Sequence, residues 1–291
     1  MNNTRPGITC RICRSFENEF YSKIKNCLLY RCKTCKTIFI PETGFKPEEF
    51  YDKSYFKGSD AKGYRDYECL EHSLRRTFLK RIKQIEKKHD IAGKEILDFG
   101  CGMGFFLSEA QERGYRATGI EVSDYAAEYG RIKFGIPILN SIDDINKRFD
   151  IITMWDVIEH LQDPAAILSR AHDILTADGL LVITTGNIDS AAAKLSGKRW
   201  HLFNIPEHLS YFSPKSITYL LEQTGFEIRQ IKHETSYYQI SYLIERVSKS
   251  FFGSTDNIFL KISRNLKFFI PVNLFDIMTI YAQKKNNGIV E

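Results

Sequence analysis

The 291-residue sequence lacks any uninterrupted apolar run near the roughly 20 residues that a membrane-spanning helix needs, and no apolar stretch follows its opening MNNTRPG. A cytoplasmic protein is the expectation. A strong charge bias is also missing: 41 basic against 36 acidic residues leave a net charge of +5, spread along the chain. DNA is therefore not expected as a partner, and the electrostatic footprint for RNA is weak. In a reducing compartment, the seven cysteines point to metal ligation rather than to a disulfide framework. What the sequence does have is a hydrophobic fraction of 43%, enough for a sizeable core. Its length implies a main domain of roughly 200 residues plus something smaller.

The smaller part is legible at the N-terminus. CRIC (Cys10, Cys13) and CKTC (Cys32, Cys35) form two matched C-x-x-C pairs. A tetrahedral zinc ion needs four thiolates at about 2.3 Å, and each pair supplies two from one tight knuckle. LLYRC and CKTIFI read as strands entering and leaving the second knuckle, with Cys27 a spare inside the hairpin. A module this small buries little, so bound metal would supply most of its folding free energy. Zinc is expected at residues 1–42, with a structural or a substrate-holding role left open.

Residues 43–90 read as a connector rich in Tyr, Gly and charge, followed by an amphipathic helix. Leu74, Phe78, Ile82 and Ile85 recur at helical spacing from Leu70 to about Lys88. Its other face carries Arg75, Arg76, Lys80, Arg81, Lys83, Lys87 and Lys88, which is expected to be a solvated face.

KEILDFGCGMGFFLSE follows (94–109). An apolar strand ends at a glycine turn, Gly100, Gly102 and Gly104, with Asp98 just before it and a helix beyond. Glycines let the backbone turn sharply and a ligand approach the helix N-terminus. The next strand, YRATGIE, ends in Glu121, placed to bond both ribose hydroxyls of an adenosine. IPIL, FDIITMWDV, GLLVITTG, GFEIRQIK and DIMTIYAQK read as further strands, with helices after Ser123, Pro164 and Pro214 and with Gly179 and Gly225 ending helices. An α/β sheet with helices on both faces is expected over 91–234. A helical, amphipathic insertion is expected over 235–272, able to cover an acceptor, dimerise or rest on a membrane surface, and a last strand with tail over 273–291.

ILDFGCGMGFFL, GIEVSDYAAEYG, FDIITMWDVIEHLQDP, LTADGLLVITTGN and PEHLSYFSPKSITYLLEQTGFEI, in that order, make residues 51 to about 284 resemble a class I S-adenosylmethionine-dependent methyltransferase. The branch is that of ubiquinone-type O-methyltransferases and glycan-cluster methyltransferases. The resemblance implies a Rossmann-like seven-stranded sheet. It also implies that Asp98, Gly100, Gly102 and Gly104 surround the methionine part of the cofactor, that Glu121 holds the ribose, and that Val122 packs on adenine. Ser141 would pass the adenine edge, although NSIDDI departs from the commoner pattern. Met103 stands where a smaller residue is usual; because it can swing away from the turn, cofactor binding is expected to survive.

Methyl transfer to a hydroxyl needs alignment and a base. Two clusters qualify. In WDVIEHLQDP, Asp156 belongs to the cofactor pocket, and with Glu159 and His160 it forms the group at which metal-dependent relatives would hold a divalent ion. In WHLFNIPEHLSYFSP (200–214), His208 is the expected general base, with Glu207 orienting it, Tyr211 and Trp200 as walls and His201 as runner-up. The leading expectation is a methyltransferase acting on a small-molecule or glycan acceptor, such as a nucleotide-sugar in polysaccharide biosynthesis. A zinc-ribbon RNA methyltransferase is the alternative. Against it, the ribbon lacks a concentrated basic and aromatic surface, and no proline-rich tetrapeptide of the kind used for base amines follows the fourth strand. A non-catalytic binding module stands third. Oligomeric state and acceptor identity are not legible.

Overall fold

The structure, a computed structural model, describes residues 7–41, 44–58, 66–87, 93–240, 244 and 268–285. At the N-terminus β1 (Asn18–Ile24) and β2 (Cys27–Cys32) pair antiparallel across a turn at Lys25 and Asn26, both with left-handed φ. The short strand β3 (Ile38–Phe39) pairs with β2 just past the second knuckle. The connector then forms α1 (Pro47–Phe50) and α2 (Lys53–Phe56), the latter capped by Asp52, whose side chain accepts from the Tyr55 amide.

The long helix α3 (Glu71–Glu86) buries Phe78, Ile82 and Ile85, as its spacing predicts. Its basic face is not simply solvated. Arg75 pairs with Glu109 and Glu112 at 2.7 and 2.6 Å. Arg81 is buried and lies over the Trp155 ring at 4.7 Å. Arg76 lies over Tyr237 and Phe269 at 5.0 and 5.5 Å. Arg75 is spent on ion pairs, and Arg76 and Arg81 on packing, because long apolar stems and planar heads suit aromatic faces.

The central sheet is built from β4 (Glu95–Phe99), β5 (Arg116–Ile120), β6 (Ile138–Leu139), β7 (Phe149–Trp155), β8 (Leu175–Gly186), β10 (Phe226–Lys232) and β13 (Ile277–Lys284), in the order β10-β13-β8-β7-β4-β5-β6. All neighbouring pairs are parallel except those of β13, which runs antiparallel to both β8 and β10. This is the expected Rossmann-like architecture. Strand alternation sends adjacent residues to opposite faces. Ile96, Ile151 and Val182 join the core under α3, α4 (Phe105–Glu112) and α5 (Asp124–Phe134). Leu97, Ile152 and Ile183 join the core under α6 (Pro164–Ile174) and α8 (Pro214–Gln223), which also takes in Cys10, Ile12, Tyr30 and Phe39 of the ribbon. The short α7 (Ala191–Ser196) and the strand β9 (Ser210–Tyr211) lie between β8 and α8.

The helix starts follow local chemistry. Ser123, Asp163 and Ser213 cap α5, α6 and α8, and Pro164 and Pro214 occupy first turns, where no intrahelical amide is needed. Gly225, with φ +83°, leads into β10 as expected. Gly179 does not end a helix. α6 stops at Ile174, and Gly179 closes a bulge within β8, where Phe149 and Ile151 pair with Leu175 and Leu180. The insertion is strand rather than helix at both ends: β11 (Ser236–Gln239) and β12 (Phe269–Val272) pair antiparallel. Aromatic and β-branched residues such as those of SYYQ and FIPV suit a pleated surface, and this overrides their helical spacing. Residues 241–243 and 245–267, which carry most of the expected helix, lie outside the described residues. Among the described residues no helix is long and apolar enough to cross a membrane.

Candidate functional site

Strand order reverses between β4 and β7, which opens a crevice at their C-terminal ends. The residues expected to hold the cofactor gather there. Asp98 is buried at the end of β4 and accepts from Thr153 Oγ1 at 2.6 Å. Burial pushes its carboxyl well above the usual range, and the Thr153 hydrogen bond and Arg81 offset part of this. Beyond it, Gly100, Gly102 and Gly104 have φ of +72°, +53° and +81°. A side chain at Gly100 would bring its Cβ to 2.6 Å from Val157 Cγ2. Glu121, at the end of β5, holds this turn: its carboxylate accepts from the Gly102 amide at 2.8 Å and from the Ser123 amide at 2.9 Å. Val122 beside it is 39% exposed, an open apolar face where an adenine ring can pack. The Ser141 hydroxyl accepts from the Asp143 amide at 3.1 Å and caps a short 3-10 turn at 142–144. Met103 does not swing out. It is fully buried in the core between α4 and α5, where exposure to water would forfeit its packing.

Two residues of this group escape the sequence patterns. Tyr67, in the connector, stacks on Phe105 with ring centroids 5.7 Å apart. Its hydroxyl lies 3.8 Å from where a Gly102 Cβ would sit, and burial followed by the charges of Glu121, Asp98 and Asp156 pushes its phenol up. Arg81 is the other, the cation next to Asp98. Neither position has a local signal, because each reaches the site from an element distant in sequence.

The residues expected on the acceptor side begin where β7 ends. Asp156 has a left-handed φ of +56°, is exposed, and accepts from Thr184 Oγ1 at 2.9 Å. Glu159 turns the other way. It is buried and accepts from Thr185 Oγ1 at 2.9 Å, and burial followed by the Asp156 charge pushes its carboxyl up to about 8. The expected metal set of Asp156, Glu159 and His160 therefore does not assemble. Instead Glu159, His160 and His208 converge, with ligand atoms within 4.8 Å of one another.

His160 Nδ1 lies 2.8 Å from the Tyr51 hydroxyl and 3.0 Å from the Glu207 carbonyl oxygen. A carbonyl only accepts, so a proton on Nδ1 serves it and leaves Nε2 as the acceptor. The His208 ring stands edge-on to His160, with centroids 4.5 Å apart. Burial pushes both imidazoles down, His160 to about 4 and His208 well below its ordinary value, with His160 as a second cause for His208. Glu207 does not orient His208 as expected. Its backbone carbonyl meets His160, and the Leu202 backbone offsets part of the downward shift of the His208 imidazole. Tyr211 is buried, and its hydroxyl and that of Ser210 have no hydrogen-bond partner among the described residues. Both residues border a cavity of about 10 Å³, closed by Trp200, His208 and Glu159, which is space for about one water. Trp200 is a buried wall whose Nε1 donates to Asp276 at 2.9 Å. His201 is exposed and faces Asp276 at 3.5 Å.

In the ribbon, Cys10 Sγ lies 3.6 Å from Cys35 Sγ and Cys13 Sγ lies 3.4 Å from Cys32 Sγ, and all four sulfurs fall within 4.8 Å of one another. Zinc–sulfur bonds of about 2.3 Å in a tetrahedron put sulfurs about 3.8 Å apart, so the set fits zinc.

Residues 70–231 match the family described as a methyltransferase domain. Ubiquinone biosynthesis O-methyltransferase of Pseudomonas aeruginosa is 23% identical over 167 residues, 52% of this chain and 72% of that protein. The enzyme of the same name from Neisseria meningitidis serogroup C is 29% identical over 150 residues, 46% and 59% of the two chains. Among solved structures, a SAM-dependent methyltransferase from Thermotoga maritima, titled a possible histamine N-methyltransferase, superposes with a TM-score of 0.50 at 19% identity, covering 75% of this chain and 95% of that one. Magnesium protoporphyrin IX methyltransferase from Synechocystis, solved with bound SAM, gives 0.50 at 11% identity, covering 84% and 100%. At such identities the likeness is one of fold, and it agrees with the sheet order and with the crevice beside β4. The family match covers more than half of the chain, which therefore belongs to the methyltransferase-domain family as a class I S-adenosylmethionine-dependent enzyme.

Proposed function

We propose that the chain transfers a methyl group to a hydroxyl of a small-molecule or glycan acceptor, a nucleotide-sugar being the form we favour, with His208 as general base. The observation that carries this reading is the convergence of two uncharged histidines, His160 and His208, with Tyr51 and Tyr211 at the sheet edge next to the cofactor turn. Bound in that turn, S-adenosylmethionine supplies a methyl group already activated by its sulfonium. What the chain must add is alignment, a dry site and somewhere for the acceptor's proton to go.

His208 meets the last need. Burial pushes its imidazole well below the ordinary value, so the ring is neutral at neutral pH and one of its two nitrogens carries no proton. His160, held by Tyr51 and by the Glu207 backbone, sits against it and fixes its orientation. Tyr211 and Trp200 wall the pocket. Asp98 and Glu121 orient the cofactor, with Val122 against its base and Ser141 and Asp156 at the pocket's margins. The four cysteines hold zinc in a structural role. Relatives that are named O-methyltransferases support oxygen as the acceptor atom. The pairing of Arg75 and the packing of Arg76 and Arg81 leave α3 less basic surface for phosphates, which favours a small acceptor over RNA. The convergence of Glu159, His160 and His208 also suits a divalent ion, and a chelator that abolishes turnover while the ribbon keeps its zinc would favour that use.

The test is turnover of labelled methyl donor with a panel of nucleotide-sugars, in wild type and in His208→Ala and His160→Ala. With the base already deprotonated, wild-type kcat/KM should stay level between about pH 6.5 and 8. His208→Ala should lower kcat by about 100-fold or more with S-adenosylhomocysteine affinity unchanged. Normal turnover in that variant would rule out His208 as the base.

A further inference from the structure

The loop that carries His208 does not pair with the central sheet. Its strand β9 completes the ribbon's own sheet, in the order β1-β2-β3-β9. Tyr211 lies opposite Ile38 and Ser210 opposite Phe39, and the Ile40 amide donates to the Leu209 carbonyl at 2.9 Å. The Leu209 amide in turn donates to the Glu159 carbonyl at 2.8 Å, so a backbone chain runs from the ribbon through the loop to the edge of the central sheet.

The cysteine knuckles set the near end of that chain. The Cys32 amide donates to the Thr37 carbonyl at 2.9 Å, and Cys35 Sγ lies 3.3 Å from Thr37 Oγ1, which fixes where β3 begins. Arg11, inside the first knuckle, donates through Nε to the Ile40 carbonyl at 2.7 Å and through Nη1 to the Gln162 carbonyl at 3.4 Å. Arg14 pairs with Asp163, the cap of α6. A strand of two residues has no stability of its own and depends on its neighbour. Among the described residues β9 has β3 as its one strand neighbour, and β3 is anchored in a four-cysteine module of the kind that orders only around its ion. The cofactor half, β4, β5 and the glycine turn, shares no strand with this sheet.

We infer that the ribbon is a metal-dependent latch on the acceptor loop: zinc on Cys10, Cys13, Cys32 and Cys35 fixes β3, β3 fixes β9, and β9 holds His208 and Tyr211 in position. The inference rests on the acceptor role proposed for that loop. Its test reads loop order, so a failure of the base assignment leaves the result standing.

The experiment is backbone hydrogen exchange on the full chain before and after zinc removal, with S-adenosylhomocysteine titrated into the same samples. Amides of 207–212 should exchange at least about tenfold faster without zinc, while β4 and β5 amides and cofactor affinity change by less than about twofold. Cys13→His keeps a zinc-ligating nitrogen and should retain loop protection, which Cys13→Ser should lose. Should Cys13→Ser not fold, Arg11→Met keeps all four thiolates and should still speed exchange in 207–212 with zinc bound. Loop protection that survives zinc removal would overturn the inference. So would equal loss in β4 and β5 together with lost cofactor binding, which would make the ribbon a folding module for the whole domain.

Discussion

Glu121 does two things at once. It accepts the two amides that shape the glycine turn, although burial pushes its carboxyl up, and in the proposed function it also holds the ribose. A glutamine there keeps the size but sets an NH₂ group against one of those amides. Glu121→Gln should therefore weaken S-adenosylhomocysteine binding by about 10- to 100-fold, measured by calorimetry. At the acceptor side the sign of the pH dependence follows from burial. His160, with a value of about 4 against its ordinary 6.5, binds fewer protons folded than unfolded. Its contribution to stability is present above about pH 6.5 and is lost as pH falls toward 4. Glu159, raised to about 8, has the opposite sign, and its contribution is lost as pH rises. Comparison with His160→Gln isolates the first: the wild type's advantage in urea unfolding should shrink by about 2 kcal/mol between pH 7 and 4.5. A constant difference would mean that His160 titrates normally. At this scale the geometry of the glycine turn is legible in the sequence, because a strand, a glycine turn and a second strand ending in Glu121 are close in sequence. Tyr51, Tyr67 and Arg81 were not, since each enters the site from the connector or α3. Glu207 was legible as a site position but not in its role, which its backbone plays.

At the scale of elements, helix starts were the most legible feature, because capping is chemistry of adjacent residues. Ser213 caps α8 and shares a reciprocal capping box with Ser216, ahead of Pro214. Ser213→Ala should cost about 1 kcal/mol, read as a lower urea midpoint with an unchanged slope. The same element closes the core beneath the ribbon, so the loss should appear in a single transition rather than two. Gly179 shows the limit of local reading: a glycine between a helix and a strand pattern also suits a bulge, and pairing with β7 decided it. The ends of the insertion depart from the expected helix for a related reason. Aromatic residues at three- and four-residue steps satisfy a helix, yet β11 and β12 find cross-strand partners in each other and α3 beneath them.

For the whole molecule, alternating strand and helix signals were enough to foresee the sheet, but not that the N-terminal ribbon would reach across and pair with a loop some 170 residues later. That pairing is non-local backbone geometry and leaves no periodic trace. It brings the cofactor crevice, the histidine pair and the cysteine cluster into one body, and the account of function depends first on the crevice being a working cofactor site. The most direct measurement is calorimetric titration of the folded, zinc-loaded chain with S-adenosylhomocysteine. One site per chain with micromolar affinity, abolished or sharply weakened in Glu121→Gln, is the expected result. No heat of binding from a folded, zinc-loaded chain would contradict the account.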